Sequence, residues 1–180
     1  MAQTAATSPD MNLLHQRGAI FSADRRYRFA LSRRITLVSE PRHCAFCLLN
    51  PSTADEQRAD ATVRKCTGFA VSWGFPAMDV VNLFPWRARD PSELRTEPGG
   101  YVHPENDEWI LAVARRAELV VLGWGHHGQY RGRGTAVRAL LQAAGIRCYC
   151  LGFTKAGEPL HPLYLPYSQE LQPVPVRGVA

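Results

Sequence analysis

The sequence predicts an α/β protein, a three-layer sandwich on a four-stranded, mainly parallel sheet with a β-hairpin placed ahead of it. Three observations carry that expectation. Four strand-length runs, around 44–49, 78–83, 119–123 and 147–152, are apolar almost throughout, as strands buried on both faces must be. Between them, apolar residues recur at three- and four-residue spacings, the helical period. Short links join these alternating elements, which favours right-handed crossovers and helices on both faces of the sheet.

Each element has its own justification. Residues 1–18 lack periodicity and are rich in small polar residues, so they read as an arm. Ala19-Ile20-Phe21-Ser22 and the run from Tyr27 to Arg33 flank a polar turn, and the second run alternates, which is the pattern of a hairpin. Over 61–73, Val63, Cys66, Phe69, Ala70 and Trp73 share one helical face, with Asp60 placed to cap it and Gly74-Phe75-Pro76 to end it. Residues 90–94 read as a short helix start, followed by a Pro/Gly-rich loop through Pro104. A helix over 106–117 carries Trp109, Leu111, Val113 and Ala114 inward, and another over 134–144 does the same with Val137, Leu140 and Leu141 before Gly145. The Pro-rich stretch 159–175 is expected to wrap the surface without regular structure. No internal repeat is present, so residues 19–170 read as one domain between an arm (1–18) and a tail (171–180).

Composition bounds the function. At 180 residues the chain can bury a full core, since a 150-residue domain already buries about 68–70% of its unfolded surface. No apolar stretch approaches the roughly 20 residues of a membrane span, and the first residues show no export pattern, so a cytoplasmic monomer is expected. A formal charge of +5 and a pI near 9.2 suit a polyanionic partner. All but two of the 21 basic residues are Arg, the side chain best matched to phosphate. An Arg-, Ala-, Gly- and Pro-rich chain can equally reflect coding bias, so the position of each charge has to carry the argument. Five cysteines without an export signal argue against a disulfide framework. Cys44 and Cys47, though spaced as CxxC, fall inside an apolar strand and read as buried core thiols. No metal or cofactor is expected.

Each apolar run turns polar at its carboxyl end, where parallel sheets bind ligands. The tips are Asn50-Pro51-Ser52-Thr53, then Asn82-Leu83-Phe84-Pro85-Trp86, then Trp124-Gly125-His126-His127, and finally Phe153-Thr154-Lys155. The glycine-rich, basic stretch from Gly125 to Gly134 enters a helix and can bring backbone N–H groups, Arg131 and Arg133 onto phosphate. It matches no nucleotide-binding fingerprint. His126 and His127 point apart if extended, which disfavours a shared ion. Lys155 offers a point charge to phosphate, or a nucleophile if its pKa were lowered.

Taken in order, Leu48-Leu49-Asn50-Pro51-Ser52, Val80-Val81-Asn82, Leu122-Gly123-Trp124-Gly125 and Leu160-His161-Pro162-Leu163-Tyr164 resemble the strand tips of the uracil-DNA glycosylase superfamily, its mismatch-specific branch above all. Over a longer span, Tyr27 to Pro166, the chain resembles a bacterial and phage family known as a domain of unknown function. The shared elements are Asn50 to Asp55, Asp60 to Cys66, Val81 to Phe84, Trp124-Gly125, and Thr154 to Leu163.

The glycosylase resemblance implies a matching architecture and a nucleobase, in DNA by preference or in a nucleotide, whose N-glycosidic bond is hydrolysed. Asn50 would orient water and His161 would stabilise the departing base. Asn82 would read the base edge, Phe84, Trp86 and Trp124 would supply stacking surfaces, and Ser52 and Thr53 would border the base. Gly125, His126, His127, Arg131, Arg133 and Lys155 would meet phosphate. Two departures change the expected ligand. Leu163 and Tyr164 follow His161-Pro162 where the family has serine, and Ser52 and Thr53 replace the small glycine after the proline at the first tip. An amide is also a weak base, so the reaction would be slow or confined to good leaving groups. A non-catalytic nucleic-acid or nucleotide binding module and a hydrolase of free nucleosides or nucleotides are the alternatives.

Overall fold

The structure, a computed structural model, describes residues 9–38, 42–90, 92–96 and 102–175. It is mixed α/β, with one seven-stranded sheet whose spatial order is β1-β2-β4-β3-β5-β6-β7. The strands are β1 (Ala19–Phe21), β2 (Arg28–Arg34), β3 (His43–Leu48), β4 (Ala77–Asn82), β5 (Leu119–Gly123), β6 (Cys148–Cys150) and β7 (Gln172–Pro173). β3 pairs in parallel with both β4 and β5, and β6 continues parallel to β5. The hairpin β1–β2 joins antiparallel at β4, and β7 joins antiparallel at β6.

The sheet is therefore larger than the four strands expected from sequence. The expected core runs are present, and the difference lies at the two edges, where short segments complete the hydrogen bonding of otherwise open strands. β7 is two residues long and includes Pro173, a residue tolerated only where one side of the strand has no partner. No periodic pattern can announce such a segment.

Helices cover both faces. On one side α2 (Ala61–Ser72) buries Val63, Cys66, Phe69 and Ala70 against Phe46, Met78 and Val80. On the other, α4 (Asn106–Arg116) and α5 (Arg133–Ala143) bury Trp109, Ile110, Val113, Val137 and Leu141 against Ala45, Cys47, Val81 and Leu122. Asp60 caps α2 as expected, its Oδ1 accepting from the Val63 N–H at 2.8 Å. A four-residue helix, α3 (Glu93–Thr96), follows the second tip. The loop expected ahead of Pro104 lies largely outside the described residues, as do 1–8 and 176–180.

Within the segment read as an arm, Met11–Arg17 forms α1, capped by Asp10 and ended by Gly18 in the left-handed region at φ 77°. Met11 and Leu14 are buried in the same core as α4 and α5. Seven residues with two inward positions are too few to show a period, and so short a helix is held by docking rather than by propensity. Among the described residues, no helix is long and apolar enough to cross a membrane.

Candidate functional site

Register sets the site. Leu48 at the end of β3 lies level with Asn82 on β4 and Gly123 on β5, so three strand tips finish abreast. The chain leaves β3 towards β4 on one side and returns to β5 on the other. A crevice opens where such a sheet changes direction. Here it is a cleft of about 530 Å³ between the residues after β3 and those after β5. Leu49, Asn50 and Ser52 form one wall, and Trp124, Gly125, His126 and His127 form the other. Asp60 and Thr62 at the start of α2 and the His161–Tyr164 segment complete it.

Asn50 is held firmly. Its Nδ2 donates to Ala88 O at 2.9 Å and to Pro51 O at 3.0 Å, which spends both amide hydrogens and leaves Oδ1 as its acceptor. Ala88 N–H donates in turn to Pro51 O, so the Ala88–Arg89 turn is tied to the same tip.

His161 enters from the opposite side. Its Nδ1 accepts from the Leu163 N–H at 3.4 Å, which places the ring proton of the neutral imidazole on Nε2. Burial holds its pKa below the ordinary histidine value, against a partial counter-pull from Asp60. The segment carrying it can approach because position 123 is glycine. A Cβ there would stand 3.0 Å from Pro162 Cδ and 3.3 Å from Leu48 Cδ2.

The lowered His161 pKa has a consequence for stability. Below about pH 6.5 the unfolded chain takes up a proton that native His161 resists. Stability therefore falls as pH drops from neutrality towards the lowered value. His161→Gln is expected to flatten this limb in chemical denaturation between about pH 7 and 5. Superimposable profiles for variant and wild type would contradict the assignment.

Trp124 is 1% exposed, with its Nε1–H donating to Glu158 Oε2 at 2.6 Å. Arg138 also donates to that oxygen at 3.2 Å, and its guanidinium lies 5.5 Å from the indole centroid. Gly128 lies on the ring, and a Cβ there would stand 1.9 Å from Trp124 Cδ1. The glycine at 128 thus serves packing against tryptophan.

Several residues expected at the site are placed elsewhere. Asn82 is buried, its Oδ1 accepting from Arg28 Nη2 at 3.0 Å, and it does not line the cleft. Phe84 is fully buried in the core beside Tyr130. Both stand one strand away from the opening, where the sheet edge is covered by β2 and α4. Arg133 donates to Leu83 O at 2.9 Å and is ion-paired with Asp107, so it ties α5 to α4 and the second tip. Arg131 stacks beside Tyr130, and Lys155 is exposed on the Thr154–Glu158 turn; neither lines the cleft.

Trp86, Ser52 and Thr53 border a second, shallower groove of about 540 Å³ that shares Ser52, Ala88 and Arg89 with the cleft. Its other walls are Arg25, Arg26, Arg58 and Arg87. Arg26 lies 4.7 Å over the Trp86 ring, and Arg25 forms a two-pronged pair with Glu56 at 2.8 and 2.9 Å. These arginines come from the hairpin turn, the loop after β3 and the loop after β4. No contiguous basic run in the sequence marks them.

All five cysteines are buried and free. Cys44 and Cys47 project to opposite faces of the sheet, so the CxxC spacing brings no two thiols together. Burial pushes the Cys44 thiol up to about 12 and that of Cys148 to about 11. A separate polar cluster, His15, His43 and Asp79, lies towards the other end of the strands. Burial would raise the Asp79 carboxyl, but the two imidazoles and Ser32 outweigh it and hold the group at about 2.

No curated protein and no solved structure matches the chain. A family model described as a protein of unknown function, DUF1643, matches residues 28–163, which include β2 through Leu163 and so the lining residues of the cleft apart from Tyr164. The chain belongs to the DUF1643 family.

Proposed function

We propose that this protein seats one nucleobase, in DNA or in a nucleotide, in the cleft between the β3 and β5 tips and hydrolyses its N-glycosidic bond, in the manner of a uracil-DNA glycosylase. The observation that carries the reading is that Asn50 and His161, far apart in sequence, line one cleft that runs on into an arginine-walled groove. A cleft of about 530 Å³ falls in the range of small-molecule sites, about 300–1,000 Å³. Four adjacent parallel strands with helices on both faces are also what a glycosylase-like frame requires.

The division of labour follows from the contacts. Asn50, with both amide hydrogens anchored, presents Oδ1 as a fixed acceptor that can orient a water molecule towards the sugar carbon. His161, protonated on Nε2, donates to the base oxygen on which charge accumulates as the bond breaks. Trp124, buried under Gly128, supports the β5 tip from behind instead of stacking, and Tyr164, 89% exposed at the rim, offers a stacking face to an extruded base. The arginines at 25, 58, 87 and 89 follow the phosphates.

The test is a panel of single-stranded and duplex oligonucleotides bearing modified bases, scored for abasic sites. Asn50→Ala is expected to reduce release by about 100- to 1,000-fold, the usual loss when one fixed polar group is removed from the reacting centre. Equal release by both proteins on every substrate would overturn the catalytic role. Binding without turnover is the second reading, and Asp60 favours it. The carboxylate that lines the cleft is committed to the Val63 and Ala54 N–H groups, at 2.8 and 3.4 Å, and so is poorly placed to act as a base. Salt-sensitive oligonucleotide binding without abasic product would support this reading. A melting shift with mononucleotides but none with oligonucleotides would point to free nucleotides.

A further inference from the structure

His43 opens β3, Asp79 stands within β4, and His15 projects from α1, so three residues from distant parts of the sequence meet beneath the first helix. Asp79 Oδ2 lies 3.0 Å from His43 Nδ1 and 3.5 Å from His15 Nε2. All three ligand-type atoms lie within 4.8 Å of one another. Asp79 is 1% exposed, and although both imidazoles and Ser32 stand close to its carboxylate, neither its oxygens nor the two facing imidazole nitrogens form a hydrogen bond of regular geometry. The His43 nitrogen stands at ion-pair distance from the carboxylate without completing a regular hydrogen bond. Buried polar atoms left in this state are rare and costly, and one ligand atom from each of three residues, gathered this closely, calls for a shared partner.

The chemistry of the donor set identifies that partner. Two imidazole nitrogens and one carboxylate oxygen are the ligands of a borderline divalent transition ion with an open position. Two ligands each about 2.0–2.1 Å from a tetrahedral zinc ion lie about 3.3 Å apart, between the two spacings seen here. The rings stack at 19° with centroids 4.4 Å apart, so binding an ion requires each ring to tilt and turn its lone pair inward. A cavity of about 250 Å³, lined by both imidazoles with Gly18, Ser32 and Arg33, supplies a way in and room for a further ligand.

We propose that His15, His43 and Asp79 bind one divalent transition-metal ion of the zinc class, with a coordination position open to the adjoining cavity. The site is separate from the nucleobase cleft, and its test does not depend on that reading.

Chelator-stripped full-length protein is titrated with Zn(II) by calorimetry and with Co(II) by absorption. One equivalent of zinc is expected to bind. His15→Gln and His43→Gln are each expected to weaken it by more than about 100-fold, since even an outer-shell partner is worth about 10–100-fold. The cobalt form should show visible d–d bands without a thiolate charge-transfer band, which separates this site from the buried cysteines. His15 sits on a short, partly exposed helix, so its variant keeps the test valid should Asp79→Asn fail to fold. Absence of binding, unchanged affinity in both histidine variants, or a thiolate band would overturn the proposal and leave a buried carboxylate–imidazole cluster.

Discussion

Glu158→Ala is expected to lower stability by about 3–5 kcal/mol in chemical denaturation, the range for removing one partner of a buried charged pair. Glu158 Oε2 accepts from both Trp124 Nε1 and Arg138 Nη2, and the Glu158 and Arg138 side chains are only 9% and 13% exposed. Alanine would leave the indole N–H without its acceptor, and the Arg138 guanidinium with Gly157 O but no counter-charge, under the loop that carries His126 and His127. Glu158→Gln keeps an oxygen for the indole and is expected to lose about 1–3 kcal/mol, the cost of weakening rather than deleting the bond. A loss below about 1 kcal/mol for the alanine variant would show that the pair does not anchor Trp124.

Arg28→Met is expected to cost about 2–4 kcal/mol, with most of it recovered in the double variant Arg28→Met, Asn82→Leu. Arg28 is 2% exposed, and burial lowers its pKa to about 10, so it remains charged at neutrality inside the sheet edge. Its Nη2 donates to Asn82 Oδ1 at 3.0 Å and its Nη1 to Ala54 O at 3.2 Å. Asn82 Nδ2 and Arg28 Nε have no hydrogen-bond partner. Methionine strands the Asn82 oxygen as well, whereas an apolar pair removes the need for any partner. A full double-mutant cycle measures the coupling, and strict additivity would contradict it.

These two residues also show where sequence reasoning stops. Asn82 ends an apolar strand as Asn50 nearly does, and pattern alone treats the two tips alike. What separates them is the neighbouring strand. β2 lies against β4 and brings Arg28 onto Asn82, whereas Asn50 lines the open cleft. Strand pairing is a long-range property that no local window contains. For the same reason the four core runs were legible, because their uniform apolarity is local, and so was α2, whose period and Asp60 cap lie within thirteen residues. The two-residue β7 and the seven-residue α1 were not, since each is held by what it docks against. The arginine groove draws on three loops, and the His15, His43 and Asp79 cluster on one helix and two strands. Neither has a sequence signature shorter than the fold.

The central claim is that a nucleobase occupies the cleft between Asn50 and His161, and backbone amide NMR during titration with a short single-stranded oligonucleotide tests it most directly. The account predicts saturable shifts concentrated at Asn50, at Trp124 to His127 and at His161 to Tyr164, with a second set at Arg87 and Arg89 along the groove. Saturable shifts confined to other surfaces, or none at these positions with oligonucleotide or nucleotide, would contradict it.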